Sequence, residues 1–288
     1  MFHPGELKAQ QKAGFTPPAA AIYTAMPQQH RLFYAGLSQF YFSVAGADGY
    51  PVAGILQGAP GFVQALDETH LRIVSGALNT FPGFPELRPG MAAGGLGLDF
   101  SNRRRNRVNG VIESVTPDFI TLAVRESFGN CPQYIQRRNL PESESQRLPE
   151  SELLVSLDAD ARYLVAAADT FFIASRAPEA GADISHRGGP PGFIGLQQGK
   201  LKIADYAGNR YMNTLGNLLL EPRCALLIPD FHQGAALHIQ GRAEIIWQQA
   251  ERYLLVTPER ITRLRQLLPA AGLAVEYAAS TLAINKKG

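Results

Sequence analysis

The sequence predicts a mainly β fold with a few helices, built as two tandem antiparallel barrel halves in one chain. Three observations predict it. Apolar runs of strand length recur between Gly and Pro turns, which suits an antiparallel barrel. The same order of runs occurs twice, the signature of an internally repeated architecture. Neither GxGxxG nor GxxxxGK[ST] is present, so dinucleotide and P-loop sites on a parallel sheet have no support.

Three blocks carry the repeat. QFYFSV (Gln39–Val44) matches TFFIAS (Thr170–Ser175), each a short apolar run of the kind buried strands use. GAPGF (Gly58–Phe62) matches GPPGF (Gly189–Phe193), a Pro-Gly turn entering a strand, followed by Leu71-Arg72-Ile73 against Leu201-Lys202-Ile203. LDFSNRRRNRVNGVIE, ending at Glu113, matches PDFHQGAALHIQGRAE, ending at Glu244; both read as a strand, a hairpin loop and a returning strand. Between the copies, NLPESESQRLPESELL is rich in Glu, Ser and Pro without an apolar period and reads as a linker. The expected organisation is an N-terminal segment 1–26, a first half 27–138, a linker 139–157 and a second half 158–288.

A chain of 288 residues, 45% hydrophobic and 18% charged, can bury one large core or two ordinary ones. Its formal charge of +2 does not make nucleic acid a default partner. Two cysteines, Cys131 and Cys224, form no CxxC pair and give neither a disulfide framework nor a zinc site. The polar start MFHPGELKAQQKAG and the lack of a spanning apolar stretch lead us to expect a soluble cytoplasmic protein with no membrane partner.

Residues that are polar in only one copy are not required by the fold, so the differences between the halves point to a site. The second half has Asp183-Ile184-Ser185-His186-Arg187-Gly188-Gly189 where the first has Val52-Ala53-Gly54-Ile55-Leu56-Gln57-Gly58. It also has Gly208-Asn209-Arg210 leading into a helical run that ends at Pro222, where the first half has Pro82, Pro85 and Pro89, which obstruct a helix. A loop with Gly, Asn and Arg at a helix start suits a phosphate: the glycine permits close approach, free N–H groups donate, and arginine supplies a forked cation. The plain alternative is that Asn209 caps the helix and Arg210 is solvated. Ser185, His186 and Arg187 read as convergent ligand contacts, or His186 as a turn residue bonding the backbone.

The stretch DYAGNRYMNTLGNLLLEPRCALLIPDFHQGAALHIQG (Asp205–Gly241) resembles the flavin-phosphate segment of pyridoxamine 5'-phosphate oxidases. With SHRGGPPGF and GNCPQYIQRR (Gly129–Arg138), the chain resembles a long-chain, flavin-nucleotide-binding branch of that split-barrel superfamily over nearly its whole length. The resemblance implies two FMN-binding split β-barrels fused as a pseudo-dimer, with the flavin between them. It places Asn209 and Arg210 on the phosphate-binding stretch and adds Gly208 and Asn213 as candidate cofactor contacts. Tyr211 stands near the family's lysine, and Ala236 near a glutamine that contacts the flavin ring, with Arg105 at the related first-half position.

Arg103, Arg105 and Arg107 alternate along an expected strand and so share one face. If that face meets the second-half loop, Arg105 and Arg107 supply charge to an anionic cofactor; an exposed basic hairpin is the alternative. Cys131-Pro132 reads as the start of a helical segment ending in Arg137-Arg138, a setting that lowers a thiol pKa, against simple packing. The function expected is an FMN-dependent oxidoreductase acting on an unknown small molecule or electron donor, with further pairing of pseudo-dimers as an option. A non-catalytic flavin-binding or sensing protein is the second reading. A haem-binding split barrel using His186, His232 or His238 is the third.

Overall fold

The computed structural model describes residues 2–19, 21–129, 131–141, 148–178, 180–208, 210–248, 251–270 and 274–285. Helix α1 (Pro4–Lys12) lies in the N-terminal segment and packs against the second half, and the first half opens with α2 (Gln28–Ala35). Seven strands follow: β1 (Gln39–Val44), β2 (Gly54–Gln57), β3 (Val63–Ala65), β4 (His70–Val74), β5 (Ala92–Asp99), β6 (Arg104–Val115) and β7 (Phe119–Gly129). The second half contains β8 (Glu150–Leu154), α3 (Ala159–Ala167), β9 (Thr170–Ala177), β10 (Gly181–Gly188), β11 (Ile194–Gln197) and β12 (Lys200–Ala204). It continues through α4 (Asn213–Leu220), β13 (Arg223–Asp230), β14 (Ala235–Gln248), β15 (Glu251–Arg265) and α5 (Ala279–Asn285).

The protein is mainly β, with two curled antiparallel sheets of the split β-barrel type, as the sequence predicts. The sheets share one strand order. The first runs β2-β1-β5-β6-β7-β4-β3 and the second β10-β9-β13-β14-β15-β12-β11. The two Pro-Gly turns close identically, with Phe62 N–H donating to the Ala59 carbonyl and Phe193 N–H to the Pro190 carbonyl, each at 3.0 Å. Gly61 and Gly192 sit at φ 95° and 89°, where a side chain is strained. The long hairpins also slip register at corresponding glycines, Gly110 and Gly241. At each, a Cβ would collide with the backbone of the paired strand, Ala123 or Thr257.

Strand alternation sorts the core into three parts. Phe40 and Phe42 of β1 face the first-half core with Leu71, Ile73 and Leu122. Phe171 and Ile173 of β9 do the same in the second half with Leu201 and Leu226. The intervening residues Tyr41 and Phe172 point the other way, into a third cluster that joins the halves. Their rings stack at 3.6 Å and 16°, at corresponding positions of the shared strand order. Apolar burial of this kind is what holds the halves together.

Three expectations need correction. Part of the segment read as a linker is β8, paired with β15 from Leu154↔Ile261 to Glu150↔Arg265. Charge pairs replace apolar patterning there, with Glu152 meeting Arg263 at 3.2 Å and Arg265 at 2.8 Å; residues 142–147 of the linker lie outside the described residues. No helix starts at Cys131: Tyr134 takes φ 62°, which ends any helical run, and Arg137 bridges Glu276 instead. Arg103 does not share a strand face with its neighbours, because β6 begins at Arg104 and Arg103 turns at φ 61° to reach Glu276 at 2.8 Å. Among the described residues, no helix is long and apolar enough to cross a membrane.

Candidate functional site

A cleft opens where β6 of the first half faces β10 and the start of α4. Arg105, Arg107, Ser185, His186, Arg187, Gly208, Arg210 and Asn213 all line it. These are the expected cofactor contacts, drawn from both halves; Asn209, the remaining one, lies outside the described residues. The cavity volume of the cleft is about 90 Å³, and its mouth opens to solvent.

Each wall has a local cause. Arg105 and Arg107 lie two residues apart on β6 and so point the same way. Arg107 is buried, and its Nη1 donates to both oxygens of Asp183 at 3.0 and 3.2 Å and to Asn213 Oδ1 at 3.2 Å. Arg105 donates to the Cys131 carbonyl at 2.8 Å and the His186 carbonyl at 3.2 Å, with its Nη1 3.3 Å from His186 Nδ1. Burial, then the nearby Arg107 and Arg187, lower the Arg105 pKa to about 9, which still leaves it charged at neutral pH. Opposite, α4 begins at Asn213 behind Met212, which makes no side-chain cap bond. The first N–H groups of a helix lack intrahelical partners, and Asn213, Thr214 and Leu215 all border the cleft.

Arginine dominates the electrostatics. Arg105, Arg107, Arg187, Arg210 and Arg252 surround the cleft, while Asp205 pairs Arg187 at 2.5 Å and Arg252 at 3.1 Å. His186 is buried, and that burial, followed by Arg105 and Arg138, holds its pKa well below the ordinary value. It is therefore neutral. With Arg105 donating toward Nδ1, the ring proton belongs on Nε2, which is buried without a partner, as is Nε of Arg105. Unsatisfied buried donors beside an uncapped helix start fit an oxygen-rich anionic ligand. Tyr134 and Tyr206, with ring centres 5.3 Å apart, line the same cleft and offer aromatic surface.

The place that corresponds to the cleft in the shared strand order is filled. Strand register puts Ala236 and His238 opposite Pro229 and Leu227, where the first half has Arg105 and Arg107 opposite Leu98 and Leu96. It puts Ile55 opposite Tyr41 where the second half has His186 opposite Phe172. Phe81 and Phe84 pack at 5.2 Å, and Phe81 meets His238 edge-on at 5.6 Å. The Ala53 N–H donates to His238 Nε2 at 3.2 Å. A polar cleft and a largely apolar plug thus stand at corresponding places of the two sheets. The three histidines considered for haem lie apart: His186 in the cleft, His238 in this plug, and His232 exposed in a turn.

Arg252, Asp205 and Tyr134 also belong to the cleft, and sequence reasoning did not select them. Arg252 comes from β15, whose apolar alternation carries no hint of a site, and the Arg252 carbonyl accepts from Asp205 N–H at 3.0 Å.

The buried histidines set a pH dependence. His238 is lowered to about 4 by burial, then by Arg260, and His186 is lowered too. Below about pH 6.5 the unfolded chain takes up protons that these folded groups refuse, so the stability present above that value is lost as pH falls. Glu6, raised to about 7 chiefly by burial, acts in the opposite sense, its contribution present below the unfolded value of 4.5 and lost as pH rises through 7. Between 4.5 and 6.5 these two histidines, joined by His3 and His30, which burial also lowers, oppose the raised carboxyls of Glu6 and Glu126. Urea unfolding should therefore show stability falling from pH 7 to 5 by about 1.4 kcal/mol per pH unit for each uncompensated proton. His238→Gln should flatten that slope; a stability that rises over the same interval would contradict the assignment.

No protein-family model matches the chain, and no curated protein matches it. Among solved structures, it is similar to a protein of Clostridium acetobutylicum related to general stress protein 26 and described as of the pyridoxinephosphate oxidase family. That similarity has 14% identity and TM-score 0.29, and covers 41% of this chain and 92% of the other. A FAD-binding protein of Mesorhizobium loti is similar at 11% identity and TM-score 0.28, over 41% of this chain and 99% of that one. The MrkH protein of K. pneumonia in its apo state is similar at 11% identity and TM-score 0.24, over 86% of this chain and 88% of that one. At these values the similarities do not bear on function, and the fold rests on the strand order itself.

Proposed function

We propose that the cleft binds the phosphate of a flavin nucleotide, FMN, and that the chain is a flavoprotein of the pyridoxamine 5'-phosphate oxidase-like type, made from two duplicated split barrels. The observation that carries this reading is the asymmetry: arginines and an uncapped helix start from both halves converge on one cleft, while its counterpart is plugged by Phe81 and Phe84. Arg187, Arg210 and Arg252, with the first N–H groups of α4, hold the phosphate. Arg105 and neutral His186 would offer further donors to the bound group, and Tyr134 and Tyr206 would shield it from water. Bound there, FMN supplies hydride or electron transfer, which places the protein among oxidoreductases with a small-molecule donor. Asp205 is tied to two arginines and His186 is held neutral, so the chemistry rests with the bound group. Two unpaired cysteines suit a reducing, cytoplasmic setting.

Arg210 is exposed at the cleft edge, its guanidinium 4.8 Å from the centre of the Phe15 ring. Loss of one charge-assisted phosphate bond, on the order of 1.5–3 kcal/mol, should weaken FMN binding by roughly ten- to a hundred-fold in Arg210→Ala while leaving the fold intact. Flavin titration of the apo-protein checks this. Equal affinity in parent and variant, both folded, would remove Arg210 from the site. Turnover of bound flavin with a reductant and an acceptor separates an enzyme from a protein that only binds or senses flavin.

A further inference from the structure

We propose that the N-terminal arm, α1 with Phe15, is part of the anion site: it braces the Arg210–Met212 turn in its ligand-receiving shape, so that docking of the arm and binding of phosphate are coupled. The ligand side rests on the phosphate reading above; the brace rests on geometry alone.

The turn needs support. Arg210 and Met212 take φ 65° and 62°, the left-handed region that costs a residue with a Cβ free energy unless its surroundings impose it. Those surroundings come largely from the arm. Gln10, fully buried on α1, donates through Nε2 to the carbonyls of both Arg210 and Tyr211 at 3.2 Å. Phe15 lies under the Arg210 guanidinium at 4.8 Å and the Arg252 guanidinium at 5.6 Å. Glu6 accepts from Asn213 Nδ2, and Asn213 Oδ1 in turn accepts from Arg107 Nη1 at 3.2 Å. One buried chain of bonds thus runs from the arm through the helix start to the cleft arginine of the other half.

Helices α1 and α4 meet backbone to backbone at a pair of glycines. A Cβ on Gly5 would collide with the Gly216 carbonyl oxygen, and one on Gly216 would fall 2.6 Å from Glu6 N. Gly216 weakens α4 as a helix residue, so its place there is explained by the arm it admits. By linkage, a ligand that needs the braced turn must also hold the arm down.

Gly216→Ala and Gly5→Ala separate the arm from the cleft without altering a cleft side chain, and the first raises the helix propensity of α4. Hydrogen exchange of the apo-protein reads the brace, and titration with FMN and with inorganic phosphate reads the ligand. In both variants amide exchange in α1 and at Arg210, Tyr211 and Met212 should accelerate together by tenfold or more. Affinity for FMN and phosphate should fall by a similar factor, and FMN should slow exchange of α1 in the parent. Faster exchange in α1 alone, with the turn and both affinities unchanged, would overturn the proposal. A parent that binds neither FMN nor phosphate, while the two segments still loosen together, would support the brace and count against the phosphate reading.

Discussion

Arg107→Ala should lower the unfolding free energy by about 3–5 kcal/mol, the range for stranding one member of a buried ion pair. Arg107 and Asp183 side chains are 8% and 3% exposed, so water cannot replace the lost partner. The stranded carboxylate would face Glu126, whose pKa is already raised chiefly by its own burial. Asp183→Asn added to Arg107→Ala should recover part of the loss, because it removes the uncompensated charge. Arg107→Lys should remain intermediate, keeping charge and losing the planar guanidinium whose Nη1 donates to both Asp183 and Asn213. Urea denaturation of the four proteins measures this. A change within about ±0.5 kcal/mol for Arg107→Ala would be the behaviour of a solvated basic hairpin instead.

Phe81→Ala should cost about 3–5 kcal/mol as a large-to-small change in a packed core. Phe81 is 2% exposed and touches both Phe84 and His238. The space released should hold no cation, since the positions that correspond to Arg105, His186 and Arg187 are Ala236, Ile55 and Leu56, and the counterpart of Arg107 is His238, kept neutral by burial. Thermal denaturation should register the loss, and equilibrium dialysis should still find one FMN per chain. Appearance of a second, equivalent FMN would mean that bulk alone, and not missing charge, kept the counterpart closed.

The shared strand order of the two sheets was legible because the features that fix it are local. Pro-Gly turns, the slipping glycines Gly110 and Gly241, and strand-length apolar runs each act through their own neighbours. The polar residues of β10 stood out against the apolar β2, and the spacing of Arg105 and Arg107 told which way they face. What stayed hidden depends on partners far along the chain or on one residue's dihedral angle. Gln10 finds Arg210 and Tyr211 two hundred positions away, and PGELKAQQK carries no pattern that announces it. Left-handed φ at Arg103, Tyr134, Arg210 and Met212 follows from tertiary packing, not from residue type. The helix expected after Cys131 failed there, since the chain at Tyr134 packs its carbonyl against Gly188. The β8 strand was masked by its own glutamates, which pair with arginines of β15 and leave no apolar stripe.

We propose one phosphate-binding flavin site per chain, built from both halves. Equilibrium dialysis of the apo-protein against FMN, read by flavin absorbance, tests it most directly. We expect one FMN bound per chain, competed by inorganic phosphate and weakened by Arg210→Ala; no binding, or two equivalent FMN per chain, would rule out a single phosphate site shared by the halves.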